Sequence, residues 1–186
     1  ILNGAHIHVG EHLGLPTHSY MGLSDAKIVD VQAGLETGMG ALVAALAGAN
    51  IISGPGMLDF ESCQSLEKLV LDNEICGMAL RMVRGVEARG DRLAGDLYGD
   101  IYAGDHFLIS AETLRWFRKE VYPAGPVVDR DAYETWVHRG KKSAWDRARL
   151  EVARIMSSHT VEPLPDDHLT ALVDVMKADA RRLDFD

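Results

Sequence analysis

The chain has 186 residues, 47% of them hydrophobic and 25% charged, an ordinary globular composition long enough for one sizeable core. Against 28 Asp and Glu stand 19 Lys and Arg, a formal net charge of −9; this argues against a general nucleic-acid binder, which displaces counterions with cationic patches. No apolar run approaches the roughly 18–20 residues of a membrane span, so a cytoplasmic protein is expected, with neither nucleic acid nor membrane as partner.

Residues Ile1 to Leu13 read as a helix already under way, as if the sequence began inside a larger gene product. Gly14 and Pro16 punctuate its end. A strand is predicted over Leu15–Met21, then a polar loop, then a helix from Ser24 or Asp30 to Leu46, closed by Gly48. Ala49–Ser53 reads as a short strand buried on both faces through Ile51 and Ile52. The loop from Gly54 to Glu61 follows, then a long helix Ser62–Val83 with Gly85 beyond it, and a shorter helix Asp91–Ile101. Ala103–Ile109 is a possible third strand. Ser110 is placed to cap a helix over Ala111–Glu120. From Tyr122 the breakers Pro123, Gly125 and Pro126 change the character of the chain. Helices are predicted over Asp131–Arg139, Ala144–Ser157 and Asp166–Leu183. The last carries Leu169, Leu172, Val173, Met176, Ala180 and Leu183 at helical spacing.

The alternation of strands with helices points to an α/β class with a parallel sheet and crossover helices. Only two or three strands are visible, too few for a complete eight-stranded barrel. Within the second helix Gly34, Gly38, Ala41, Ala45 and Gly48 alternate in steps of four and three, a stripe almost without side chains. Glycine costs a helix roughly 1 kcal/mol relative to alanine, so the stripe is expected to mark close packing, with room for a bulky cofactor as the alternative.

Strand-to-helix loops of α/β proteins sit where ligands usually bind, and the loop after the first strand holds His18, Ser19, Tyr20, Ser24, Asp25, Lys27 and Asp30. Gly54-Pro55-Gly56 could approach a phosphate, but no Walker-type lysine follows and a turn is expected. His106 at the third strand end could act as a base or bind a polar substrate. His6 and His8 on one helix point roughly 200° apart and cannot share a metal. His8 and His12 could, but no further ligand pattern completes a site. Cys63 and Cys76 fall in one predicted helix, about 20 Å apart along its axis. A disulfide tolerates only about 7 Å between Cα atoms, so two reduced thiols are expected.

The runs Gly14–Glu36, Leu42–Ala49, Ile52-Ser-Gly-Pro-Gly-Met-Leu-Asp59 and Glu67–Glu74 resemble the trimethylamine methyltransferase family. The likeness continues through Asp105–Leu108, Thr113–Arg118 and Tyr133–Trp136. The resemblance implies the C-terminal part of a (β/α)8 TIM-type barrel with extra C-terminal helices. Residues 1–121 would hold the βα units and residues 122–186 a helical extension packed on the barrel. It implies methyl transfer from a methylated amine to the cobalt of a corrinoid carried by a separate corrinoid protein, with no cofactor or metal bound tightly by this chain. A homo-oligomer is expected.

Archaeal trimethylamine enzymes of the family carry pyrrolysine, whose counterpart here would lie in the loop Ser24–Lys27. This chain has only standard residues, which shifts the expected substrate toward quaternary amines such as glycine betaine. The expected substrate-binding residues are Tyr20, Asp25, Lys27, Gln32, Asp59, Phe60, Glu61 and His106; no catalytic residue is assigned. Tyr20 and Phe60 would face the cation, Asp59 or Glu61 would balance its charge, and His106 would bind a substrate carboxylate. The rival readings are a catalytically incomplete fragment and another TIM-barrel enzyme, such as a metal-dependent hydrolase using His6 and His8.

Overall fold

A computed structural model describes residues 1–89, 98 and 106–182. The predicted helix Asp91–Ile101, apart from Tyr98, and the start of the possible third strand lie outside these. The elements are α1 Leu2–His12, β1 His18–Ser19, α2 Val31–Leu46, β2 Ile51–Ile52, β3 Met57–Leu58, β4 Cys63–Gln64 and α3 Leu66–Arg84. A 3-10 turn at Phe107–Ile109 precedes α4 Ala111–Glu120, α5 Tyr133–His138, α6 Ala144–Ser158 and α7 Asp166–Arg182. The protein is mixed α/β, mostly helical, with two small sheets.

The chain forms two compact units, Ile1–Arg154 and Ile155–Asp186. Residues 122–154 stay with the first. There the Gly125 N–H donates to the Glu74 carboxylate at 2.6 Å, and Arg147 donates to the Val127 carbonyl at 2.9 Å and to Asp129 at 3.2 Å. In the second unit, α7 carries the periodic apolar residues foreseen for it, with Leu169, Leu172 and Met176 exposed.

β1 and β2 pair in parallel, His18 with Ile51 and Ser19 with Ile52, with α2 as the crossover between them. The ladder is shorter than the predicted strands, yet hydrogen bonds continue it at both ends: Ile51 N–H to Thr17 O, Ser53 N–H to Ser19 O, and Gly22 N–H to Ser53 O. Successive strand residues point to opposite faces. α1 and α2 contact the sheet, and Ser19 is buried. His18, Tyr20 and Ile51 alternate to the other face and are exposed, Ile51 at 59%. The expectation that β2 is buried on both faces is therefore corrected, because no described element covers that second face.

The stretch read as a loop into a helix from Ser62 instead holds the hairpin β3–β4, with Met57 opposite Gln64 and Leu58 opposite Cys63. At its turn Asp59 and Phe60 adopt φ 49° and 62°, a left-handed conformation that glycine or asparagine fills more readily. α3 starts only after Ser65, whose hydroxyl accepts the Lys68 N–H. Cys63 is thus on a strand and Cys76 on a helix; both are free thiols, although not for the helical reason foreseen. The possible third strand is likewise corrected over Phe107–Ile109, which is a 3-10 turn.

The cap read at Ser110 is formed, and of the two starts offered for α2, Ser24 or Asp30, the helix takes Asp30 as its cap. Asp30 accepts the N–H groups of Gln32 and Ala33 at the start of α2, and Ser110 accepts the Thr113 N–H at the start of α4; such caps contribute about 1 kcal/mol each. The glycine stripe of α2 packs differently from expectation. The buried positions are Ala33, Thr37, Ala41 and Ala44, while Gly34 and Gly48 are exposed. The close approach occurs at Gly40, where a Cβ would stand 1.8 Å from the Met21 carbonyl oxygen.

Candidate functional site

The two loops that leave the C-terminal ends of β1 and β2 run side by side. Gly22 N–H donates to Ser53 O, Ser24 N–H to Met57 O and Asp59 N–H to Ala26 O. The first loop is folded around Glu36 of α2. Its carboxylate accepts Ser24 Oγ at 2.6 Å, the Asp25 N–H at 2.9 Å and Gln32 Nε2 at 3.0 Å. These donors, the Ser24 hydroxyl first and then Gln32 and the Asp25 N–H, hold the carboxyl below the usual glutamate range. Lys27 Nζ donates to the Asp25 carbonyl at 2.7 Å and pairs with Asp59 at 3.0 Å. That pair is exposed and worth little for stability, but it ties the first loop to the hairpin turn.

Glu36 carries a pH prediction. A carboxyl with a lowered folded pKa contributes stability above its unfolded value, about 4.3, and loses it as pH falls through the folded one. Glu36→Gln is expected to lower the thermal midpoint at neutral pH. The gap to wild type should close as pH falls below about 4. Melting curves over this range check it, and a gap independent of pH would contradict the carboxylate's role.

The predicted site residues separate into groups. Asp25, Lys27, Gln32 and Asp59 come together: the side chains of Lys27, Gln32 and Asp59 are engaged in holding the loops, and Asp25 joins through its backbone N–H and carbonyl. Tyr20 follows β1 directly, 47% exposed, its ring centroid 4.8 Å from that of His18. His18 Nε2 and Ser53 Oγ lie 2.7 Å apart across the strand pair. Phe60 and Glu61 are exposed at the hairpin tip, beside Asp59. His106 is exposed ahead of the 3-10 turn and shares no hydrogen bond with these groups among the described residues. Glu36, His18 and Ser53 were absent from the expected set. The signal for His18 was strand alternation, since it shares a face with Tyr20.

Beneath the loops lies a buried charge pair absent from the sequence-based expectations. Lys68 and Asp72, one turn apart on α3, form an ion pair whose side chains are 1% and 2% exposed. Lys68 Nζ also donates to Thr37 Oγ1 of α2 at 2.8 Å, and Asp72 accepts the Gly56 N–H at 2.7 Å. Burial pushes the Asp72 carboxyl up, while the Gly56 N–H and the Lys68 ammonium pull it back. The Gly54-Pro55-Gly56 turn is therefore an anchor point: the Gly56 N–H is spent on Asp72 and is not offered to a phosphate.

Among the described residues no three His, Cys, Asp or Glu side chains gather as a metal site, and no helix is long and apolar enough to cross a membrane. His6 and His8 are both exposed on α1.

The fold and site thus define an α/β protein built on a parallel βαβ unit, with interlocked strand-end loops and an aromatic, polar face beside them. Residues 3–183 match the family model described as trimethylamine methyltransferase (MTTB), and the chain belongs to that family. It is 33% identical over 183 residues to trimethylamine methyltransferase MttB of Methanosarcina barkeri, covering 96% of this chain and 36% of that protein. It is 34% identical over 159 residues to a glycine betaine methyltransferase of Desulfitobacterium hafniense (strain Y51), covering 85% of this chain and 33% of that protein. A trimethylamine methyltransferase MttB of D. hafniense (strain DSM 10664 / DCB-2) is 30% identical over 166 residues, covering 89% of this chain and 33% of that protein. The chain spans about a third of the length of these relatives.

Proposed function

We propose that the intact protein transfers a methyl group from a methylated or quaternary amine to the cobalt of a corrinoid presented by a separate corrinoid protein. In this reading residues 1–121 supply late βα units of a (β/α)8 barrel, residues 122–186 a helical extension, and the bare face of β1 and β2 is the barrel interior. The observation that carries it is the family match over residues 3–183, with relatives named for trimethylamine and for glycine betaine.

The chemistry suits the residues present. A quaternary ammonium already bears its charge, so when the C–N bond breaks the electron pair stays on nitrogen and a neutral amine departs. The cobalt supplies the pair for the new bond. No proton donor is needed, and the protein's task is to hold the cation, orient one methyl group and exclude water. The exposed Tyr20 ring at the strand end suits a cation, and the Lys27–Asp59 clasp keeps the adjoining loops in place.

The test uses the intact protein, a corrinoid protein reduced to Co(I), and trimethylamine or glycine betaine offered separately. Loss of the Co(I) absorbance with matching release of demethylated amine is expected for at least one of them. Absence of transfer from every methylated amine offered would overturn the proposal. Tyr20→Ala is expected to raise KM by about tenfold, the scale of a partly desolvated cation–π contact.

A further inference from the structure

The bare face of the β1–β2 pair holds a more specific arrangement than an aromatic wall. His18 and Tyr20 are two residues apart on one strand path, so both side chains lie on the same face. Ser53 follows β2 on that face and reaches His18: Nε2 and Oγ are 2.7 Å apart. The His18 and Tyr20 rings are 4.8 Å apart at 50°. No other hydrogen bond holds the His18 ring among the described residues, so the imidazole keeps its second nitrogen, Nδ1, for a ligand. Of the neighbouring side chains, Lys27, Gln32 and Glu36 are engaged within the loop, which Asp25 joins through its backbone N–H and carbonyl.

A π-face flanked by a histidine and a hydroxyl is more than a bare alkylammonium requires. Tetramethylammonium offers these polar groups no partner, and leaving them unmatched in a closed site costs binding. In a betaine the carboxylate is one methylene from the ammonium, so the ring and the polar pair can engage both ends of one small molecule. We infer that His18, held by Ser53, is the specificity-determining residue that reads the carboxylate of a zwitterionic quaternary amine whose ammonium lies against Tyr20. The inference rests on the methyltransferase reading and assigns to His18 the role that the sequence suggested for His106.

Calorimetric titration of the intact protein with glycine betaine and with tetramethylammonium tests it without turnover. Wild type is expected to bind betaine at least tenfold more tightly, the scale of one charge-assisted hydrogen bond. His18→Leu should reduce that ratio to near one, His18→Gln should restore part of it, and Ser53→Ala should lower it less. His106→Ala should leave the ratio as in wild type. A wild-type preference that survives in His18→Leu would overturn the inference while leaving the methyltransferase reading intact. Equal wild-type affinity for the two ligands would do the same. Binding of neither ligand, with no methyl transfer in the assay above, would overturn both.

Discussion

Lys68→Ala is expected to destabilise the protein by about 3–5 kcal/mol, the cost of removing one partner from a buried ion pair. The size follows from what remains behind. Asp72 would stay about 1% exposed with only the Gly56 N–H to stabilise its charge, and Thr37 on α2 would lose its link to α3. A surface pair with the same spacing would be worth only a few tenths of a kcal/mol, so the magnitude itself distinguishes the two situations. Asp72→Asn is expected to cost less, because the amide oxygen can still accept from Gly56. The double variant Lys68→Met with Asp72→Leu should recover most of the loss, since apolar side chains can replace a buried pair. It should still fall short of wild type by about 1–3 kcal/mol, because the Gly56 N–H then has no acceptor. Denaturant midpoints of the intact protein and its three variants measure the series. A Lys68→Ala midpoint equal to wild type would show that the pair does not hold α3 against α2 and the Gly56 turn.

That pair also shows where the sequence stopped being legible. Some helix ends could be read because their signals are local: Ser110 caps the helix it precedes and Gly14 follows the first, while the sequence leaves the start of α2 between Ser24 and Asp30 and points for α3 to Ser62, three residues before its cap Ser65. The inward face of α3 could not. Lys68, Asp72 and Ala79 are buried in helical phase, but a Lys and an Asp four apart ordinarily decorate a solvated face. Only the partners contributed by α2 and the Gly56 turn reveal that this pair faces inward. The hairpin β3–β4 was hidden for a related reason. Its turn places Asp59 and Phe60 at positive φ without the Asn-Gly or Asp-Gly pair that usually announces one. Its strands are two residues each, too short for alternation to register.

The candidate site divides along the same line. Composition and position picked out a crowded loop, and Tyr20 remains at its exposed face. Which polar groups were free and which were occupied depended on contacts between distant residues. Glu36 lies 12 positions beyond Ser24 yet organises that loop, and Ser53 lies 35 beyond His18 yet holds its ring. The partners of Lys27 and Gln32, Asp59 and Glu36, could not be read from residue types alone.

Gly40→Ala is the second large effect expected, and it connects packing to function. A Cβ at this position would lie 1.8 Å from the carbonyl oxygen of Met21 and 2.9 Å from its carbonyl carbon. Those are backbone atoms, so no side-chain rotation relieves the clash, and either α2 or the chain at Met21 must move. In an exposed helix interior the same substitution would stabilise by roughly 0.5–1 kcal/mol through backbone entropy. Here overpacking of about 1–3 kcal/mol outweighs that gain. Gly34→Ala supplies the control within the same helix: a Cβ there meets nothing within 4 Å, so a small stabilisation is expected. The displaced residue follows Tyr20 and precedes Gly22, whose N–H joins the two strand-end loops through Ser53. Movement at Met21 therefore shifts the Tyr20 ring and the His18–Ser53 pair together, and a misplacement of about 1 Å can cost about 100-fold in rate. In the intact protein, Gly40→Ala should melt below wild type and lose methyl transfer out of proportion to the folded protein remaining, whereas Gly34→Ala should do neither. Equal melting temperatures for the two alanine variants would mean that α2 does not seat against Met21, and the packing argument for the site's geometry would fail with it.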